Sequence, residues 1–279
     1  MKNNKNNLEK NFLKQGYIKF KINNKIINLL KKKIILFTKE VTGLKKINLE
    51  KFHEFYKIEK LNNLRIKLYD KINSDKEFNN KIFESSFKHI ELMVGSELCN
   101  GNLNLSIQYP HDKTSVLSMH TDFFSGESIF QVNLWIPFVN VKKTSSMFII
   151  NPQKSIDLLK KIKESKKFTM NNIFKENKKD IRWLDIKFGE GMLFSPNCLH
   201  GNVMNIEKNT RWSINVRLKN LYSPYSKIKE NEKKIGSFYN LYTPKIITQF
   251  NLKHSFDENI GSYMKRDHVV KYITNCFVC

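Results

Sequence analysis

The chain has 279 residues, 40% of them hydrophobic and 12% aromatic, which is enough to bury one sizeable core and too little to require two equal domains. No run of about 18 apolar residues occurs, and the Lys/Asn-rich start, Met1 to Lys10, lacks the apolar centre of a signal peptide, so no membrane partner and a cytoplasmic location are expected. The formal charge of +23 invites a nucleic-acid partner, but the lysines are spread over the whole length beside Asn and Ile, so no dedicated nucleic-acid surface is expected, whereas an anionic small substrate suits the same field.

From Leu8 to about Gly95 the pattern is mostly helical. The exception is Gln15 to Ile22, where Ile18-Lys19-Phe20-Lys21-Ile22 alternates at period two and predicts a short strand. Asn24 to Thr42, stopped by Gly43, then Leu49 to Ile72 and Asp75 to Val94, predict three helices whose apolar faces need a sheet to pack on. Residues 1–100 are therefore read as a helical region packing on a β domain later in the chain.

After Gly101 the character changes to short runs rich in β-branched and aromatic residues. Leu103 to Tyr109, Ser115 to His120, Ser128 to Phe138 and Ser146 to Ile150 predict four strands; Leu184 to Phe188, Gly191 to Phe194, His200 to Asn205 and Thr210 to Lys219 predict four more. Two sets of four predict a mainly β fold with flanking helices, a double-stranded β-helix of the cupin-like jelly-roll kind, over 101–220. The segment 152–183 interrupts it as an insertion near the barrel mouth, with the character of a lid. A C-terminal extension, 221–279, is expected to pack back on the barrel as mixed helix and coil.

Cys99, Cys198, Cys276 and Cys279 have no regular spacing and read as reduced thiols. Cys276 and Cys279 make a C-x-x-C, but no second pair completes a zinc site.

Chemistry gathers at Met119-His120-Thr121-Asp122 and at Cys198-Leu199-His200-Gly201-Asn202. Two imidazoles and one carboxylate on one side of a metal leave three positions free, which suits Fe(II) that must hold a bidentate co-substrate and O2 together. His120 and Asp122 alone are a weak signal. Context strengthens it: His200 precedes a glycine at a predicted strand edge, and Arg211-Trp212-Ser213 lies on the next strand. A guanidinium beside a hydroxyl is suited to the distal carboxylate of 2-oxoglutarate. Arg211, Ser213, Asn215 and Arg217 alternate with Trp212, Ile214 and Val216, and the polar four are expected to face the barrel interior. His53, His89, His254 and His268 have no partner at ligand spacing, and His111 reads as a solvated loop residue.

Together these motifs resemble the 2-oxoglutarate/Fe(II)-dependent oxygenase superfamily, of the phytanoyl-CoA-dioxygenase-like type. The run from His120 to Gly126, then Gln131-Val132-Asn133-Leu134-Trp135-Ile136-Pro137, His200-Gly201-Asn202 and Arg211-Trp212-Ser213, is similar to oxygenases of bacterial carbohydrate and aminoglycoside gene clusters. The resemblance implies iron at His120, Asp122 and His200, the C5 carboxylate of 2-oxoglutarate at Arg211 and Ser213, and further co-substrate contacts at Asn133 and Gln131. Gln108, Phe123, Trp135 and Arg217 are candidate substrate contacts, while Asn202 and Asn205 fix the loop after His200. The implied reaction oxidises a C–H bond of a small molecule, expected to be sugar-derived, and releases succinate and CO2; desaturation or epimerisation would begin with the same hydrogen abstraction. Three alternatives stand beside it: a nucleic-acid oxidative demethylase, from the charge and the Arg211/Arg217 spacing; a metal-dependent cupin sugar isomerase or epimerase, which would not need Arg211 and Ser213; and a non-catalytic jelly-roll binding module.

Overall fold

The computed structural model describes residues 2–164, 169–225, 233 and 238–254, so Cys276, Cys279, His268 and most of the 221–279 extension lie outside the described residues. The first helix, α1 (Lys2–Gln15), ends at Gly16, whose φ of +79° turns the chain into β1 (Tyr17–Lys21). Only glycine fits there: a Cβ would also collide with the Cys198 sulfur. Ile18, Phe20 and Ile22 point into the core while Lys19 and Lys21 stay outside. The next helix, α2 (Asn24–Thr42), is capped by the Asn23 side chain, which accepts from Lys25 N at 2.8 Å, and is stopped by Gly43 at φ +74°.

The expected helix from Leu49 starts only at Leu61 as α3 (Leu61–Ser74). The preceding residues are spent on short turns that bury Phe52 edge-on against Trp212, ring centroids 5.1 Å apart, while Trp212 Nε1 donates to Leu49 O at 2.9 Å. The expected helix over Asp75 to Val94 is two, α4 (Lys76–Glu84) and α5 (Phe87–Val94). The Ser85 and Ser86 hydroxyls both return to the Ile82 carbonyl, at 2.6 and 3.2 Å, and that local bonding competes with continuation of the helix.

Nine further strands complete the sheets: β2 (Leu98–Asn100), β3 (Asn104–Gln108), β4 (Gln131–Pro137), β5 (Phe148–Ile149), β6 (Arg182–Trp183), β7 (Glu190–Phe194), β8 (His200–Gly201), β9 (Arg211–Asn220) and β10 (Asn240–Leu241). They pair antiparallel into two sheets rather than two sets of four. The larger runs β1-β7-β4-β9-β2-β10 with β3 also on β9, and the smaller runs β6-β5-β8. Ser115 to His120 is not a strand but a loop held by side chains, with one bridge from His120 to His200. Leu184 to Phe188 contributes only the bridge Val141↔Ile186, and His200 to Asn205 shortens to the two residues of β8.

The long strand β9 organises the interior. Trp212, Ile214, Val216 and Leu218 are fully buried on its helix-facing side. Arg211, Ser213, Asn215 and Arg217 share the other side, which looks toward the small sheet: Arg211 Nη1 lies 3.5 Å from Ser146 O, and Phe194 of β7 lies 5.0 Å, ring to ring, from His200 of β8. The insertion folds as α6 (Pro152–Glu164) and α7 (Met170–Glu176), whose Leu158 and Ile173 bury with Met119, Phe148, Ile150 and Leu199 in a second, smaller core behind the small sheet. Residues 240–241 add the edge strand β10, after which α8 (Ile246–His254) ends the described chain. Among the described residues no helix is long and apolar enough to cross a membrane.

Candidate metal centre

Two segments distant in sequence must meet for His120 and His200 to share a metal ion. The loop before His120 is strapped down from both sides. Arg65 of α3 reaches the buried Asp112 at 3.0 Å and the Ile107 carbonyl at 2.6 Å, and Asp112 accepts from Thr114 N and Oγ1. Asn202 accepts from Leu117 N at 2.6 Å and donates to Ser115 O at 3.2 Å, so the chain after His200 holds the chain before His120. Backbone bonds of 2.9 Å in each direction then join residues 120 and 200.

Gly201 permits this approach, because a Cβ there would sit 2.8 Å from Leu117 O, 3.0 Å from Ser118 O and 3.1 Å from Met119 N, all backbone atoms that cannot swing aside. Gly201→Ala is therefore expected to displace the loop carrying His120 and weaken divalent-metal binding by about 10-fold or more, the range seen when the supports of a ligand are disturbed. Calorimetric metal titration alongside circular dichroism checks this; unchanged affinity would show that the close approach does not set the ligand geometry.

The ligating atoms converge. His120 Nε2 lies 3.3 Å from Asp122 Oδ1, His200 Nε2 lies 3.7 Å from the same oxygen, and the three candidate ligand atoms fall within 4.8 Å of one another. Each imidazole turns its Nδ1 to the carbonyl two residues earlier, His120 to Ser118 O at 2.7 Å and His200 to Cys198 O at 2.8 Å. Those carbonyls can only accept, so the proton sits on Nδ1 and the Nε2 lone pairs face the centre. Asn133 donates to Asp122 Oδ2 at 2.6 Å, leaving Oδ1 as the oxygen turned to the histidines. The His120 side chain keeps 25% of its exposure against 6% for His200 and 4% for Asp122, so the centre opens on the His120 side.

The charges are set for metal binding. Burial opposes the Asp122 charge, but His120, His200, Arg217 and Asn133 outweigh it and hold the carboxyl far below the usual range. Burial pushes His200 down to about 4, so it is neutral and available as a ligand. Burial also works against charged His120, yet Asp122 and the Ser118 carbonyl prevail and raise its pKa. Two neutral imidazoles and one carboxylate with open positions fit an Fe(II) site of the facial-triad type.

A second cluster lies further along β9. Arg211 is buried, donates to Ser106 Oγ at 2.9 Å, and has no carboxylate within ion-pair distance among the described residues. Burial lowers its pKa to about 10. Its Nε, together with Ser213 Oγ, Ser146 Oγ and Gln108 Oε1, is buried without a partner. A buried guanidinium with an unfilled Nε–H, beside the unfilled hydroxyls of Ser213 and Ser146, is suited to an anion such as a carboxylate, whereas Gln108 Oε1 can only accept.

The remaining candidates separate. Gln108 pairs across the sheet with Arg211 and donates to Val203 O at 2.7 Å, which places it in the arginine cluster. Trp135 packs in the main core. Phe123 borders an apolar surface groove. Asn133 spends its NH2 on Asp122, and Gln131 bonds Glu127 and the Tyr239 hydroxyl, so neither amide is free. Arg217 is held by Glu127 at 2.9 Å and approaches Asp122 Oδ1 at 3.9 Å. Glu127 and Tyr239 have no sequence motif. Nothing in the local sequence marks either residue for this role. Asn205 accepts from Glu207 N and donates to Asn209 O, shaping the turn after β8.

The sequence matches no family model and no curated protein. Its fold is shared with solved structures of non-heme enzymes. The nickel complex of the non-heme monooxygenase ThoJ aligns with a TM-score of 0.53 and 11% identity over 96% of this chain and 99% of that one. The non-heme alpha ketoglutarate dependent epimerase SnoN from nogalamycin biosynthesis gives 0.52 and 10% over 88% and 94%. The alpha ketoglutarate dependent carbocyclase SnoK from nogalamycin biosynthesis gives 0.51 and 10% over 78% and 85%. At these identities the likeness is one of fold.

Proposed function

We propose that this protein is a mononuclear non-haem Fe(II) enzyme that uses 2-oxoglutarate and O2 to oxidise a C–H bond of a small molecule, on a double-stranded β-helix. The observation that carries the reading is the convergence of His120 Nε2, His200 Nε2 and Asp122 Oδ1, in a fold that also buries Arg211 without a carboxylate partner among the described residues. When bound, iron with 2-oxoglutarate and O2 supplies the oxidising power for hydrogen abstraction, with succinate and CO2 released. His120, Asp122 and His200 would hold the metal, and Arg211 with Ser213 would grip the C5 carboxylate. Their part is placement: Asn133 fixes which Asp122 oxygen faces the metal, the Ser118 and Cys198 carbonyls fix both imidazole tautomers, and burial of His200 and Asp122 keeps water from that side.

The likeness to an epimerase and a carbocyclase supports a second outcome of the same abstraction, in which no oxygen is added to the product. The demethylase reading loses support because Arg217, its second cation, is already paired with Glu127. A metal-only isomerase leaves the unfilled polar atoms around Arg211 without purpose. The substrate is read as a sugar-derived small molecule that also carries an apolar face. A groove of about 510 Å³ opens at Thr121 and Phe123, on either side of Asp122, and is walled by Phe124, Ile129, Ile156 and Leu159, with exposed Lys160 and Lys163 beside them. That size is ordinary for a small-molecule site. The test is release of succinate from 2-oxoglutarate by the iron-loaded protein in air, stimulated by the true substrate; a protein that turns over a sugar without consuming 2-oxoglutarate would be an isomerase.

Metal affinity should rise with pH through a single proton. Protons compete with metal at His120, whose pKa is raised, and not at His200, which burial keeps neutral down to about 4. Apparent affinity is therefore expected to rise about tenfold per unit below the His120 pKa and to level off above it. Nickel titrations across that range check the slope, and a two-proton slope would mean that both imidazoles are charged in the metal-free protein.

A further inference from the structure

We infer that Tyr239, carried by the segment beyond the barrel, is a positioning residue for the metal carboxylate, acting through Gln131 and Asn133; this rests on Asp122 being a metal ligand as proposed above. The donor directions along this buried chain are forced. Ionised Asp122 can only accept, so Asn133 must present its NH2 to Oδ2, at 2.6 Å, and turn its carbonyl toward Gln131. That carbonyl, 3.4 Å from Gln131 Nε2, and the Glu127 carboxylate, which the Gln131 amide also reaches, take both hydrogens of the Gln131 NH2. The Gln131 carbonyl then needs a donor, and the Tyr239 hydroxyl is the one that bonds it.

Flipping Gln131 offers no relief, because its carbonyl would then face the Glu127 carboxylate and the Asn133 carbonyl. The hydroxyl of Tyr239 thus completes the chain at its far end: it fills the Gln131 carbonyl and so holds Gln131 in place against Asn133, the amide that bonds Asp122 Oδ2. Tyr239 is fully buried and its segment is firmly tied: Asn240 and Leu241 pair with Asn100 and Cys99, and Tyr242 N donates to Leu98 O at 2.8 Å. The extension beyond the barrel is in this way part of the site rather than an appendage.

The test is titration of the metal-free protein with cobalt(II), whose visible bands report ligand geometry. Tyr239→Phe is expected to bind cobalt about 10-fold more weakly, with an altered spectrum, as disturbed supports of a ligand do. Gln131→Met should give the same loss, and the double variant should be no weaker than either, since both break one chain. Tyr242→Phe, whose ring packs on Phe83 at 4.3 Å outside this chain of bonds, should match wild type. Wild-type affinity and spectrum in Tyr239→Phe, or additive losses in the double variant, would overturn the inference. Should Tyr239→Phe not fold, Gln131→Met alone must still weaken cobalt. Failure of the wild type to bind cobalt would instead remove the metal reading itself.

Discussion

Asp122→Ala is expected to reduce divalent-metal affinity by at least about 100-fold and to abolish 2-oxoglutarate turnover while the protein stays folded. A structural metal held by four ligands binds with on the order of 10–16 kcal/mol, so one ligand carries roughly 3 kcal/mol or about two decades of affinity. The variant also leaves two imidazoles without the carboxylate that orients them, His120 at 3.3 Å and His200 at 3.7 Å. The fold should survive because the local backbone is anchored independently: Asp122 N donates to Pro196 O at 3.1 Å and Thr121 Oγ1 to the same carbonyl at 2.9 Å. Arg217 keeps its Glu127 partner, so no buried charge is stranded. Metal titration with a thermal melt measures both halves, and retained turnover would remove Asp122 from the ligand set.

Arg211→Met separates binding from stability in opposite directions. The 2-oxoglutarate requirement should rise about 100-fold, since a bidentate charge-assisted contact to a carboxylate is worth about 3 kcal/mol. The unliganded protein should nonetheless melt higher, by about 2–4 °C per kcal/mol gained, because a buried guanidinium with no counter-ion among the described residues is replaced by an apolar chain. Burial already lowers the pKa of Arg211 to about 10, the sign of that unrelieved charge. An arginine kept for stability would give the reverse: a lower melting temperature with 2-oxoglutarate binding intact.

How much of this was legible in the sequence depends on the range of each cause. Local alternation marked β1 and β9, and Gly43 marked the end of α2, because those signals lie within or beside the element. Ser115 to His120 carried the apolar content of a strand, yet the loop's shape is dictated by Arg65 and Asn202 from elsewhere in the chain, and Leu117 is left 57% exposed. The break between α4 and α5 turned on two serines competing for one carbonyl, a choice that periodicity does not register. At the site, His120, Asp122, His200 and Arg211 stood out by residue type and local motif, and the structure brings the first three together from a loop, a short turn and β8. Asn133 and Gln131 were expected at the co-substrate; in the structure their amides bond Asp122, Glu127 and Tyr239, partners contributed by a loop and by the C-terminal segment.

The most direct measurement is optical: anaerobic Fe(II) protein titrated with 2-oxoglutarate, and the same titration in Asp122→Ala and Arg211→Met. Chelation of the co-substrate by a mononuclear Fe(II) centre produces a visible metal-to-ligand charge-transfer band. That band is predicted to appear in wild type at one 2-oxoglutarate per chain, to be missing in Asp122→Ala, and to need about 100-fold more 2-oxoglutarate in Arg211→Met. A wild-type protein that binds Fe(II) and develops no such band would contradict the account, leaving a metal site without the co-substrate that Arg211 is proposed to hold.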